Sequence, residues 1–282
     1  RAVGAYGESA WADTPHIDGL AQRGVIFENM YTPCPISAPA RASFWTGRYP
    51  HHTGILHNGL KQEGPGLIPN RPIGPDMPTL GDSLVQAGYT AVHFGKCHDS
   101  GALRGFDIVP EQTRRSPQVP KAYPENNDTW RDNYTMDRFG AWADDGFPDK
   151  FCCVVDLQNP HNICGWIGAH NSLDGPIKYA PIDGPLPELP ANNRVHDWDS
   201  LPPSVQYICC SHNRGAQTAH YTDHDWRRYI DAFRHYSKMA DDHVGTVLRR
   251  LEEGGVLDDT LVIVMADHGD GQSIYIDGEA EA

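Results

Sequence analysis

Residues 87–98 read Ala-Gly-Tyr-Thr-Ala-Val-His-Phe-Gly-Lys-Cys-His, and this pattern is typical of a strand in the core of a sheet. An apolar run of strand length, Tyr89 to Phe94, lies between two glycines. Short apolar runs bounded by turn residues are typical of buried strands in a parallel sheet. A lysine and a histidine follow directly, so polar side chains are expected where this strand ends.

Two further apolar runs predict strands, at Phe151 to Leu157 and at Leu261 to Ala266. Capping residues, apolar stripes and closing glycines predict helices beside them. These helices run from Thr14 to Gly24, from Thr79 to Ala87 and from about Trp226 to Glu253. Strands that alternate with helices favour an α/β fold, with a mostly parallel central sheet flanked by helices.

The composition narrows the class of protein. The 282 residues carry a formal net charge of −14, which argues against binding to a nucleic-acid backbone or to an anionic membrane surface. No apolar run approaches the roughly 18 residues of a membrane span. The seven cysteines are an odd number without zinc-type spacing, which leaves one disulfide open. We therefore expect neither nucleic acid nor membrane as a partner.

Charged and imidazole side chains follow all three predicted strands. In open α/β sheets, ligands bind outside the carboxyl ends of the strands. The residues at these ends are Lys96 and His98, then His161, then Asp267 and His268. The sequence therefore predicts a polar site along one edge of the sheet.

Residues 37–50 read Ser-Ala-Pro-Ala-Arg-Ala-Ser-Phe-Trp-Thr-Gly-Arg-Tyr-Pro. Pro39 fits the first turn of a helix that continues through Arg41, which places Ser37 near a helix N-terminus, where backbone N–H groups favour anions. Arg41, one turn further on, offers a planar fork of donors to an anionic ligand. The alternative is that Ser37 only caps this helix.

This segment closely resembles the signature of the type I sulfatases, a family of the alkaline phosphatase superfamily. The signature has Cys or Ser, any residue, Pro, any residue and Arg, followed shortly by Thr-Gly-Arg. Shorter similar elements lie along most of the chain, at residues 14–18, 95–98, 159–161 and 266–269. The resemblance implies that residues 1–282 are a sulfatase catalytic domain with a serine-type signature.

The resemblance also implies a nucleophile. Ser37 would be converted to formylglycine by a formylglycine-generating maturation enzyme, and an oxygen of the hydrated aldehyde would attack sulfur. Arg41 would hold the modified side chain, and Lys96 and His98 would stabilise charge on the transferred group. His161 would donate a proton to the leaving alcohol. The alternatives are a solvated Lys96 and a His161 that only satisfies loop carbonyls.

The same resemblance implies a metal site. Asp267 and His268 would hold a divalent cation, commonly Ca²⁺, against the formylglycine, and a carboxylate oxygen suits such a hard cation. The family's first strand ends in paired aspartates that supply the rest of this site, and Arg1 comes just after that point. The family also has a substrate-binding lysine after the Asp-His-Gly element and a smaller C-terminal subdomain, and neither has a counterpart in residues 1–282. We therefore expect residues 1–282 to be an incomplete catalytic domain.

The expected activity is sulfuric ester hydrolysis, which releases inorganic sulfate from a small-molecule or oligosaccharide ester, with a sulfated carbohydrate favoured. Two alternatives remain open. One is a phosphate or phosphonate monoester hydrolase of the same superfamily, and the other is a non-catalytic domain that binds sulfated glycans. Serine-type members are bacterial, so the resemblance implies a periplasmic or secreted protein.

Overall fold

A computed structural model describes residues 2–7, 12–59, 70–110, 130–164, 166, 184–190, 194–195, 200, 202–203, 221–269 and 275–276. The chain divides into two compact units. Unit 1 consists of Arg1–Gly19, Asn159–Asp242 and Gly271–Ala282, and unit 2 consists of Leu20–Gln158 and His243–Asp270. The single catalytic domain expected for residues 1–282 stays a prediction.

The central sheet belongs to unit 2. Its strands are β1 (Thr90–Gly95), β2 (Asp107–Pro110) and β3 (Phe151–Asp156), in the order β2-β1-β3. Both pairings are parallel, and Gly95 at the end of β1 lies opposite Asp156 at the end of β3. The predicted strands at 89–94 and 151–157 are confirmed within one residue at each end. Because the strands run in one direction, their carboxyl ends lie at one edge.

The helices of the described residues are α1 (Pro15–Arg23), α2 (Ser37–Thr46), α3 (Pro50–Thr53), α4 (Leu80–Gln86), α5 (Trp130–Asp144) and α6 (Asp223–Glu253). The three predicted helices correspond to α1, α4 and α6 and are confirmed. Helix α4 begins at a capping box, in which Thr79 and Asp82 each bond the other's backbone N–H. None of these helices has the length and apolar character to cross a membrane.

Side chains on the two faces of the sheet pack against different helices. On one face, Ala91 packs in a cluster with Ala38, Ala42 and Trp45 of α2. On the opposite face, residues 92 and 94 pack with residues 136 and 139 of α5. This alternation follows the two-residue period of a strand and places helices on both faces, as predicted. The face toward α2 also carries the side chains of residues 152, 154 and 156 of β3.

Unit 1 has its own aromatic core along the first part of α6. The buried residues of this cluster are Ile163, Trp166, Tyr221, Trp226, Tyr229, Ile230, Ala232, Phe233 and Tyr236. Further along α6, the buried carboxylate of Asp241 accepts the backbone N–H groups of His16 and Ile17, which caps the start of α1. The short strands β4 (Arg194–Val195) and β5 (Tyr275–Ile276) pair in parallel.

The strand predicted at Leu261 to Ala266 is wrong. These residues form neither strand nor helix, and Leu261 and Ile263 are 85% and 70% exposed. A strand exists only through hydrogen bonds to a neighbour, and none of the described strands pairs with this segment. The apolar pattern shows the tendency of the segment to form a strand, whereas the pairing depends on a partner that the pattern does not specify.

Candidate active site

Helix α2 presents Ser37 and Arg41 on one side, because residues four apart in a helix lie one turn apart. The helix begins at Ser37, after Ile36 as its N-cap residue, and Ile36 makes no side-chain capping bond. Ser37 is only 5% exposed, and its hydroxyl contacts a distant imidazole. The alternative in which Ser37 only caps the helix is therefore not what the structure shows.

The hydroxyl Oγ of Ser37 lies 3.1 Å from Nε2 of His268. The other ring nitrogen of His268, Nδ1, lies 2.6 Å from the carbonyl oxygen of Gly269. A carbonyl oxygen only accepts, so Nδ1 carries a proton and donates it. In the neutral imidazole, Nε2 is then an acceptor, and the Ser37 hydroxyl donates to it.

Arg41 joins two carboxylates. Its Nε donates to Oδ2 of Asp267 at 2.8 Å, and its Nη2 donates to Oδ1 of Asp156 at 2.9 Å. Its Nη1 donates to Oδ2 of Asp156 and, at 3.3 Å, to the carbonyl oxygen of Lys96. Burial tends to lower the pKa of Arg41, but these hydrogen bonds and carboxylate charges outweigh it and raise that pKa. The guanidinium is therefore charged and fixed in orientation.

Asp156 was missed by the sequence reasoning. Burial tends to raise the pKa of this carboxyl, yet the nearby His93 and the Arg41 guanidinium hold it below its usual value. The sequence has a weak signal for this residue, because an acidic side chain at the end of the run Phe-Cys-Cys-Val-Val-Asp is unusual in a buried strand. The predicted strand extends to Leu157 and therefore places Asp156 inside the strand, whereas β3 ends at Asp156.

Lys96 and His98 follow β1 as predicted. Lys96 is buried, and its backbone N–H donates to the carbonyl oxygen of Asp156. His98 is exposed, with Nε2 at 3.0 Å from the carbonyl oxygen of Asn58. The side chain of Asn58 accepts the backbone N–H of Ala38 at 3.0 Å, so Asn58 connects His98 to the first turn of α2. Sequence reasoning did not find Asn58.

His161 belongs to unit 1, and its side chain is exposed. The other predicted site residues, Ser37, Arg41, Lys96, His98, Asp267 and His268, all belong to unit 2. The contacts join Ser37 to His268 and Arg41 to Asp267. The catalytic and metal-binding roles of all seven residues stay predictions.

Asp267 and His268 offer suitable donors to a divalent cation. Oδ1 of Asp267 and Nε2 of His268 lie 3.7 Å apart, and Nε2 faces the hydroxyl of Ser37. Imidazole ligands of metals commonly donate their second ring N–H to a carbonyl, which His268 does at Gly269. A carboxylate, an imidazole and a hydroxyl fit part of the shell of a hard cation.

The protein has a parallel sheet with helices on both faces, and a hydroxyl, an imidazole, a guanidinium and carboxylates lie beside it. Its similarity to a solved sulfatase structure places it in the alkaline phosphatase-like class of α/β folds. Within this class, the family model described as Sulfatase matches residues 2–279. The chain belongs to the Sulfatase family, and the predicted family is confirmed.

Two curated relatives illustrate the similarity. The chain is 44% identical over 275 residues to the Delta 4,5-hexuronate-2-O-sulfatase of Bacteroides thetaiotaomicron. The alignment covers 98% of this chain and 55% of the relative. It is 26% identical over 299 residues to the choline-sulfatase of Rhizobium meliloti. That alignment covers 94% of this chain and 54% of the relative. The chain thus spans about half the length of the curated relatives it matches.

Solved structures confirm the fold. A structure described as a 2-O GAG sulfatase superposes with a TM-score of 0.81 at 44% identity, over 98% of this chain and 56% of that one. The phosphonate monoester hydrolase of Agrobacterium radiobacter superposes with a TM-score of 0.61 at 19% identity, over 92% of this chain and 58% of that one. The second likeness shows the fold alone.

Proposed function

We propose that the protein is a sulfuric ester hydrolase that releases inorganic sulfate from a sulfated carbohydrate. The observation that carries this proposal is the contact between Ser37 and His268 at the buried start of α2, next to the pair of Arg41 and Asp267. Ser37 and Arg41 belong to the segment that resembles the family signature, and the chain is 44% identical to a hexuronate-2-O-sulfatase, which supports the proposal.

The substrate class follows from the same relative. Its name specifies a sulfate on the 2-oxygen of an unsaturated hexuronate, and the similarity extends over 98% of this chain. We therefore propose a 2-O-sulfated uronic acid within a glycosaminoglycan-type oligosaccharide as the substrate. A uronate adds a carboxylate to the sulfate, so the substrate carries two negative charges and requires cationic groups in a protein of net charge −14.

The nucleophile and the metal are part of the proposal. A formylglycine derived from Ser37 would supply the oxygen that attacks sulfur, and a cation such as Ca²⁺ at Asp267 and His268 would supply Lewis-acid stabilisation of negative charge. The fixed guanidinium of Arg41 orients Asp267 through the bond from its Nε. A maturation enzyme and a periplasmic or secreted location are proposed from family resemblance.

The remaining site residues stabilise charge on the sulfate or donate a proton to the leaving group. Lys96 and His98 follow β1, where a cationic side chain stabilises charge on the oxygens of the transferred sulfate. His161 donates a proton to the leaving alcohol oxygen, a task that suits an imidazole near neutral pH. The expected signature of the His161 role is a fall in turnover that exceeds any loss of substrate binding in His161→Ala.

One experiment tests the proposal. The full-length protein, matured in a host with a formylglycine-generating enzyme, is incubated with Ca²⁺ and 2-O-sulfated uronate disaccharides, choline sulfate, an aryl sulfate and a phosphonate monoester. Released sulfate is measured by ion chromatography, and the peptide with residue 37 is weighed by mass spectrometry. We expect sulfate from the uronate disaccharides and a peptide lighter by two hydrogens.

The fold favours one alternative, a phosphonate monoester hydrolase, because such an enzyme shares the architecture at a TM-score of 0.61. Preferential turnover of the phosphonate would establish it and overturn the sulfatase proposal. Binding of sulfated disaccharides without turnover, in matured and Ca²⁺-loaded protein, would instead establish a non-catalytic glycan-binding domain.

A further inference from the structure

Asp156 lies beneath the proposed site without a role in the chemistry described above. It ends β3, and its side chain points to the same face as those of residues 152 and 154, which pack toward α2. Its side chain is 13% exposed and that of its partner Arg41 is 9% exposed. A carboxylate at this depth is costly unless it is paired, so its retention in an apolar strand requires an explanation.

The geometry of the pair provides one. Both oxygens of Asp156 accept from Arg41, one from Nη1 and the other from Nη2, in a bidentate fork. Two parallel hydrogen bonds fix the plane of the guanidinium as well as its position. The remaining Nε–H is thereby aimed at Asp267, which it reaches at 2.8 Å. The orientation of Asp267 therefore depends on Asp156.

His93 supports the carboxylate from the interior of the sheet. Its side chain is fully buried on β1, and Nε2 lies 3.4 Å from Oδ2 of Asp156, too poorly aligned for a regular hydrogen bond but close enough for electrostatic contact. The ring packs edge-on with Trp45 and Phe106, at centroid distances of 6.2 and 6.4 Å. Its Nδ1 has no hydrogen-bond partner among the described residues. An apolar residue would suit this pocket better, which indicates that the imidazole is kept for Asp156.

The carboxylate charges around Arg41 indicate what this residue contributes to the site. One guanidinium is shared by two carboxylates, Asp156 and Asp267, so its positive charge is already compensated. A compensated guanidinium attracts a sulfate anion weakly. Arg41 then acts mainly by holding Asp267 in place, and loss of Asp156 should damage turnover more than substrate binding.

We propose that Asp156 is a positioning residue, which acts through Arg41 to orient Asp267, and that the buried His93 holds Asp156 in place. The inference rests on the proposed function and adds to it a chain of contacts from the core of the sheet to the site. None of these three steps is specified by the sulfatase signature, which contains only Arg41.

The kinetic test compares Asp156→Asn with wild type in the full-length, matured, Ca²⁺-loaded protein at 25 °C. We expect kcat to fall about 10- to 100-fold while KM stays within about 3-fold or decreases, because a freed guanidinium can approach the anion. His93→Phe fills the same aromatic pocket and should lower kcat about 3- to 10-fold without loss of thermal stability. Wild-type kcat in both variants, or a rise in KM alone, would overturn the inference.

A control variant and a double-mutant cycle separate positioning from general damage. Asp82→Asn breaks a different Asp–Arg fork of unit 2, with Arg104, and should leave kcat and KM unchanged. In an Arg41→Lys background, Asp156→Asn should lower kcat/KM by less than about 3-fold, because the route through the guanidinium is already lost. Fully additive losses would contradict a role through Arg41.

A spectroscopic readout keeps this inference distinct from the proposed function. The Nε–H resonance of Arg41, identified by its loss in Arg41→Lys, should be sharp and slowly exchanging in wild type and broadened in Asp156→Asn. An unchanged resonance in Asp156→Asn would overturn the positioning contact, whatever the activity. Wild-type protein that releases no sulfate would overturn the function, while a broadened resonance in the variant would still support the contact.

Discussion

The hydroxyl of Ser37 and Nε2 of His268 lie 3.1 Å apart, at hydrogen-bond distance, although 231 positions separate the two residues in the chain. The contact is oriented on both sides, because Nδ1 of His268 donates to Gly269 and Ser37 is fixed at the start of α2. A side chain at this position therefore faces the imidazole and the adjacent carboxylate of Asp267 as soon as unit 2 is folded.

The first prediction concerns the proposed nucleophile. Ser37→Ala should abolish sulfate release, because neither a hydroxyl nor a formylglycine can then form at this position. Ser43→Ala on the same helix is a matched control, since Ser43 is also buried and its hydroxyl has no hydrogen-bond partner among the described residues. Sulfate release by ion chromatography should stay at the wild-type level in Ser43→Ala. Residual turnover in Ser37→Ala would exclude a nucleophile at residue 37.

The second prediction concerns the metal. Asp267→Asn and His268→Ala should each weaken Ca²⁺ binding by about 10-fold or more, measured by isothermal titration calorimetry. A different group in unit 1, His16 with Asp241 and Asp242, also brings donor atoms within 4.8 Å of one another. Asp241 already caps α1, so His16→Ala should not change Ca²⁺ affinity. Loss of affinity only in His16→Ala would place the cation in unit 1.

The third prediction concerns the cap of α4. The hydroxyl of Thr79 accepts from the backbone N–H of Asp82 and donates to the carbonyl oxygen of Arg104 at 2.7 Å. Thr79→Ala removes both bonds and should lower the free energy of unfolding by about 1–2 kcal/mol, measured in urea. Ser83→Ala, within the same helix, should cost less than about 0.5 kcal/mol. Equal effects of the two substitutions would show that the cap does not stabilise α4.

The fourth prediction concerns Gly95 at the end of β1. Its φ of +101° lies in the left-handed region, and a Cβ there would overlap the carbonyl oxygen of Asp156. Gly95→Ala should destabilise the protein by about 3 kcal/mol or more, because backbone strain and overlap add. Gly88 also has a positive φ, of +81°, but lies in open space, so Gly88→Ala should cost only about 1 kcal/mol. Thermal unfolding of both variants measures the difference, and a smaller loss in Gly95→Ala would contradict the close approach.

The fifth prediction concerns pH. Asp156 has a lowered pKa in the folded protein, so its ion pair stabilises the fold fully above the unfolded value of about 3.9. This stabilisation is lost as pH falls through the lower folded pKa. The gap in melting temperature between wild type and Asp156→Asn should be constant from pH 7 to 5 and shrink below pH 4. A gap that widens in acid would contradict the sign of the shift.

The sequence predicted what depends on local patterns. Short apolar runs bounded by turn residues located β1 and β3, and caps with closing glycines located α1 and α4. The spacing of Ser37 and Arg41 placed both side chains on one side of a helix. These features are encoded within windows of a few residues, which is why they are readable without tertiary information.

Features that depend on a partner were not readable. The segment 261–266 has a strand pattern but no neighbour among the described strands, and Asp156 is 115 positions from the arginine that pairs with it. Asn58 joins Ala38 and His98 through one side-chain and one backbone oxygen. No spacing rule links such residues, because only folding brings them together.

The burial of Ser37 has a consequence for the order of events in the life of the protein. A residue that is 5% exposed, locked into the first turn of a helix and covered by its neighbours, offers no access to the active centre of another macromolecule. If Ser37 is oxidised as proposed, this burial favours modification of the unfolded polypeptide over modification of the folded protein. The proposed conversion of Ser37 to formylglycine would then have to precede the folding of unit 2.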